Sequence, residues 1–206
     1  MRTHVRVAWR AGAALAFVAT AALAVILSRG APVPAALTAA GGAQTADRAA
    51  ASPRCTTSSL EIWLGVAQEN ASGYVRYPLE FTNVSSTTCA LSGYPTVSAY
   101  RAGEEGRGQI GNAAGRDASA TVRQVLLAPG ATAHTEGRLA AAGDFPAARC
   151  KPVAAQELRV FPPGQPSARY IPYPFAACSA TGPGAPVFLV VQPIQRGTGI
   201  PGHPGV

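Results

Sequence analysis

The sequence predicts an all-β domain: an antiparallel, immunoglobulin-like β-sandwich of about seven strands closed by two disulfides. Three observations point there. From Leu60 onward, apolar and polar residues alternate with period two over short runs, as on half-buried strands. Clusters of Gly, Pro, Ser and Asn separate these runs, in segments such as "ENASG", "SSTT", "APG" and "PPGQPS". Helical periodicity is nearly absent, and the best candidate, around residues 140–148, is short and interrupted by Gly143 and Pro146. A chain of 206 residues holds one domain of about 150 residues with appendages.

In chain order, Arg2, Arg6 and Arg10 precede an uncharged, Ala/Leu/Val-rich stretch at residues 11–28. Residues 1–29 therefore read as a signal peptide or an N-terminal signal-anchor helix, and the arginine excess orients either one alike. Cleavage near Val33-Pro34-Ala35 and retention as an anchor both leave the rest of the chain outside the cytoplasm. The first cysteine, Cys55, lies too far on for a lipoprotein. Residues 30–54 are rich in Ala, Gly and Pro without a periodic pattern and read as a disordered linker. The other end, residues 195–206, has the same character and reads as a disordered tail.

Between them lies the expected sandwich, residues 55–194. In "YVRYPLEFTNV", Val75, Tyr77, Leu79 and Phe81 alternate with Arg76, Pro78, Glu80 and Thr82, so one set faces a core and the other faces out. Pro78 cannot donate to a ladder, which implies an edge or a bulge there. Similar runs lie at residues 60–67, 96–100, 122–127, 131–139, 158–161 and 187–194.

Cys55, Cys89, Cys150 and Cys178 make an even number in an exported chain, which predicts two disulfides with three possible connectivities. The expected pairing is Cys55–Cys89 with Cys150–Cys178, each closing a loop of about thirty residues and contributing roughly 3–4 kcal/mol on a chain-entropy account. Wide cysteine spacing argues against tetrahedral zinc, no C-x-x-C occurs for redox chemistry, and paired thiols leave no nucleophile.

"LEFTNVSSTTCALSGYPTV", "LLAPGATAH", "ARCKPVAAQELRVFPPGQ" and "AACS" before "FLVVQPI" together resemble a domain of unknown function (number 4232) found in exported and membrane-anchored actinobacterial proteins. The resemblance spans residues 55–194. It implies a disulfide-bonded β-sandwich without assigned activity, and it carries no catalytic residues over. The longer loop "EEGRGQIGNAAGRDASA" departs from that pattern. Independently of the family, Gly93 and Pro95 permit a sharp turn after Cys89, and Tyr94 can bury its ring while its hydroxyl meets backbone, as in a tyrosine corner.

Chemistry is sparse. Within the domain His134 is the one histidine, and its strand position reads as a surface or hydrogen-bonded residue. No G-x-S-x-G elbow or H-E-x-x-H occurs. Met1 is the one methionine, so a copper site lacks ligands. Asn70 and Asn83 fit glycosylation sequons, which matter only in a eukaryotic host. The net charge of +7 divides unevenly: five arginines against Asp47 place +4 in residues 1–50 and leave +3 for the remainder. Those remaining arginines are spread singly without interleaved aromatics, which argues against a nucleic-acid partner.

Trp63 reads as a core or sandwich-edge residue. The run "YIPYPFAAC" carries Tyr170, Tyr173 and Phe175, which cannot all point inward on a segment broken by Pro172 and Pro174, so they form the candidate contact surface. The expectation is thus a non-enzymatic module, secreted or held by an N-terminal anchor, that touches an envelope or extracellular protein or glycan. It has no catalytic residue, cofactor or metal, and meets the membrane only through its N-terminal segment. The alternative is an extracellular hydrolase with a dispersed carboxylate site drawn from the domain's Glu and Asp residues.

Overall fold

The computed structural model describes residues 52–69, 74–102 and 108–200. The signal or anchor segment, nearly all of the linker and residues 201–206 lie outside them. After a 3-10 turn at Thr57–Ser59 the strands are β1 Leu60–Leu64, β2 Gln68–Glu69, β3 Tyr74–Asn83, β4 Cys89–Ser92, β5 Thr96–Arg101, β6 Gly108–Ile110, β7 Gly115–Arg116, β8 Gln124–Leu127 and β9 Thr132–Ala140. A 3-10 turn at Ala142–Asp144 and one helical turn, α1 Ala147–Cys150, lead into β10 Pro152–Phe161, β11 Arg169–Cys178, β12 Leu189–Val191 and β13 Gln195–Arg196.

The all-β expectation holds, but the described residues form thirteen strands in three sheets rather than about seven. A seven-stranded sheet runs β1-β3-β9-β12-β7, with β2 also on β3 and β13 also on β9. A four-stranded sheet runs β11-β10-β5-β6, and β4 pairs with β8. Pairing is antiparallel except where β7 lies parallel to β12.

Part of the excess comes from interruption. β1 and β2 line the same edge of β3, and β12 and β13 the same side of β9, so each pair is one broken strand. Pro78 explains the first break. Its carbonyl accepts from Gly65 N–H (2.8 Å) at the gap between β1 and β2. In an antiparallel strand a residue's C=O and N–H positions face the same neighbour, so the missing donor of Pro78 faces the interruption.

The two larger sheets pack face to face. Leu60, Leu79, Phe81 and Leu139 of one meet Val97, Ala99, Leu158 and Val160 of the other, all buried. Filling is close: the apolar void between Leu79, Leu139, Val97 and Leu158 is only about 20 Å³. Both disulfides form as expected, Cys55–Cys89 across 34 positions and Cys150–Cys178 across 28. The first fastens the lead-in to β4, where Arg54 also bridges to Ala90, so the ordered domain begins before Cys55.

Two stretches differ from the sequence reading. Residues 170–178, treated there as broken by prolines, form most of the ten-residue edge strand β11. Its register shifts opposite Ala155 and Glu157, so Pro174 sits at an irregularity and Pro172 on an edge, both tolerant of a missing N–H. Residues 195–200, read as the start of a disordered tail, form β13 and then a strap over the outer face of the large sheet. There Gly197 carbonyl accepts from His134 Nδ1–H (2.8 Å) and Gly199 N–H donates to Glu80 Oε1 (2.9 Å).

Candidate functional site

Strand alternation on β11 separates the three aromatics singled out from sequence. Tyr173 and Phe175 point inward with Ile171 and Ala177, half-buried against the core. Tyr173 stacks edge-on against Tyr77 of the opposite sheet and their hydroxyls hydrogen-bond; Phe175 leans on Phe188. Burial and the Tyr77 hydrogen bond push the Tyr173 phenol well above its ordinary range. Pro172 and Tyr170 take the outward positions. Tyr170 is 48% exposed, so the structure brings Tyr173 and Phe175 together and leaves Tyr170 on another face.

Tyr170 is not isolated there. Antiparallel register sets Arg159 of β10 between Tyr170 and Ser98 of β5, with Tyr100 and Phe161 on the same face. Tyr100 meets Tyr170 edge-on at 4.9 Å. The Arg159 guanidinium lies 5.4 Å from the Tyr100 ring and 5.1 Å from Phe161, and its Nη2 donates to Gln109 Oε1 of β6 at 2.5 Å. Stacking on two rings and one amide fixes a side chain that otherwise carries much rotamer entropy. Among the described residues, Ser98 Oγ and Arg159 Nε beneath this layer are buried without a hydrogen bond. The result is a rigid aromatic and cationic platform on the outer face of the four-stranded sheet. Sequence reasoning found Tyr170 but missed Arg159, Tyr100 and Phe161, because only register places them beside it.

The carboxylates do not converge on an open site among the described residues. Asp117 accepts from Ser119 N–H (2.9 Å) and pairs with Arg138 (2.6 Å), and the Ser119 bond above all holds its carboxyl below the usual range. Glu136 faces Arg76 at 3.5 Å. Glu80 is fully buried under the strap beside His134, its register partner on β9. Burial raises its carboxyl pKa, opposed by the Gly199 N–H and by His134, and Oε2 has no hydrogen bond. No group of three metal-ligating side chains occurs among the described residues. Trp63 is half-buried opposite Glu80.

The "TTCALSGYPTV" segment is structural in detail. Gly93 has φ +100°, a conformation that glycine adopts without strain, and its carbonyl accepts from Ile194 N–H (2.9 Å). Tyr94 hydroxyl donates to the Asp117 carbonyl at 3.3 Å, the satisfied-hydroxyl role expected of it, with Arg116 over its ring. Two disulfides fit folding in an oxidising compartment. No helix among the described residues is long and apolar enough to cross a membrane.

A family model described as a domain of unknown function (DUF4232) matches residues 55–195. No curated protein matches the sequence.

Proposed function

The chain belongs to the DUF4232 family of domains of unknown function, and from that premise we propose that it is a non-enzymatic interaction module, exported or tethered by its N-terminal segment. Its partner is an envelope or extracellular protein that docks on the Tyr170 platform. We also assign the sandwich to the immunoglobulin-like group, whose outer faces and loops serve as contact surfaces.

The observation that carries this reading is the fixed cluster of Tyr170, Arg159 and Tyr100 on the outer face of the small sheet. Tyr and Arg are enriched among the side chains that dominate protein contacts: Tyr presents a large rigid ring with a polar end, and the Arg159 guanidinium is already held by the Tyr100 and Phe161 rings. Pairing of Asp117 and Glu136 with arginines, and closure of Glu80 beneath the strap, favour binding over hydrolysis.

The test is capture from envelope and culture fractions of the source cell by the disulfide-intact chain, compared with Tyr170→Ala and Arg159→Ala. A defined protein retained by the native chain, and lost at least tenfold with either variant, is the expected result. Capture indifferent to both changes removes the platform from the reading. Turnover abolished by a Glu or Asp substitution replaces the module by a hydrolase.

A further inference from the structure

Arg54, Arg123 and Arg196 are far apart in sequence, and folding gathers them around two hollows that share Gln124 as a wall. The larger, about 500 Å³, is bounded by Thr121, Arg123, Gln124, Gln195 and Arg196. The smaller, about 280 Å³, continues past Ser92 to Arg54. The volumes suit one or a few sugar-sized units. No aspartate or glutamate lines either hollow. Among the described residues none of these three guanidiniums has an ion pair or hydrogen bond, whereas Arg76, Arg138 and Arg159 are all engaged.

The walls are held in place. Gln192 Nε2 donates to Ser119 Oγ (2.9 Å), and Gln195 Nε2 donates to Gln192 Oε1 (2.7 Å), which fixes the Gln195 amide at the rim. β8 places Gln124 opposite Ser92, at the junction. The cysteine bond at Cys55 and the Arg54–Ala90 bridge anchor the third arginine.

We propose that this groove binds an acidic polysaccharide, with carboxylates against the guanidiniums and intervening sugar hydroxyls against Gln124, Gln195 and Thr121. Three unneutralised cations in adjoining concavities focus a positive potential, and a guanidinium matches a carboxylate in a two-point geometry. Amides and a hydroxyl between the charges offer both donors and acceptors, which hydroxyl-bearing sugars satisfy and a chain of bare phosphates does not. Neither hollow has an aromatic wall, so the stacking on which single-stranded nucleic acids rely is missing from the lining.

The experiment titrates the full disulfide-intact chain with oligogalacturonate, a neutral maltooligosaccharide of equal length and linear polyphosphate. Saturable binding of oligogalacturonate alone is expected, weakening with salt. Arg123→Gln and Arg196→Gln should each lower the affinity about tenfold, and Arg54→Gln should lower it in the longer oligomers. Arg149→Gln, whose side chain bonds the Gly184 carbonyl elsewhere on the surface, should not change it. Tyr170→Ala should leave it intact, which separates this groove from the platform. Failure to bind oligogalacturonate, equal binding of polyphosphate, or equal losses with Arg149→Gln would each overturn the proposal.

Discussion

Tyr77 of one large sheet and Tyr173 of the other meet through both ring and hydroxyl. Their rings lie 5.0 Å apart at 69° and their hydroxyls hydrogen-bond in the partly buried space between β3 and β11. Removing either hydroxyl strands the other, so Tyr77→Phe and Tyr173→Phe should each lower stability by about 1 kcal/mol, while the double variant loses little more than one of them. Denaturant unfolding of the four proteins gives the coupling. The raised phenol pKa of Tyr173 adds a pH signature. A group whose folded pKa exceeds its unfolded value contributes stability fully below the unfolded pKa, here about 10, and loses it as pH rises further. The native chain should therefore weaken above that pH more steeply than Tyr173→Phe.

Asn83 ends β3 fully buried, with every hydrogen-bonding position of its amide used. Nδ2 donates to the carbonyls of Thr87 and Leu127, both at 2.9 Å, and Oδ1 accepts from Ser85 N–H and Oγ at 3.0 and 2.7 Å. One side chain thus sets the turn that delivers Cys89 to its partner and ties that turn to β8. Asn83→Ala should cost about 2–4 kcal/mol, while Asn83→Asp, which keeps the acceptors and loses the donors, should also fall well below native stability. Loss of less than about 0.5 kcal/mol in thermal unfolding would contradict this role.

How far the sequence disclosed this molecule depends on which force fixes each part. Period-two alternation is local, so the runs that become β3, β5, β8 and β9 were legible to within a residue or two. The edge strand β11 was not, because Pro172 and Pro174 weigh against a strand unless its neighbour is known to lie on one side alone. β13 and the strap were hidden for a related reason: a Gly-rich segment has little apolar signal, and Gly199 is held by how closely it approaches Pro78 and His134. A Cβ there would come within 2.5 Å of the proline ring. The disulfide pairing was legible from sequence neighbours. The platform and the groove were not, since each assembles residues through sheet register or through loops distant in sequence.

The strap makes Glu80 sensitive to pH in a defined direction. Burial raises its folded pKa above 4.5, so the folded state holds the proton more tightly than the unfolded chain does. Stability from this group is fully present below that pH and declines as pH rises towards the folded pKa. Glu80→Gln retains an oxygen for Gly199 N–H and removes the buried charge. Its Tm should equal that of the native chain near pH 4 and exceed it at pH 7. A lower Tm for Glu80→Gln at pH 7 would mean that the His134 and Gly199 contacts outweigh the cost of burial.

The two disulfides should be separable by what each one positions. Loops of 34 and 28 residues predict similar stabilisation, about 3.5–4 kcal/mol each on the chain-entropy account, so Cys55→Ser/Cys89→Ser and Cys150→Ser/Cys178→Ser should lower thermal stability comparably. Their local consequences differ. Cys55–Cys89 holds the lead-in segment carrying Arg54 against β4, whereas Cys150–Cys178 closes the end of α1 onto the far end of β11. At a temperature where both variants remain folded, loss of the first pair should raise hydrogen exchange at Cys55 and Ala90, whose amides bond the Ala90 and Pro53 carbonyls. Loss of the second should raise it at Ser179 and Ala180, bonded to Lys151 and Cys150. Equal exchange changes at both places in both variants would show that each bond acts only through the global unfolding equilibrium.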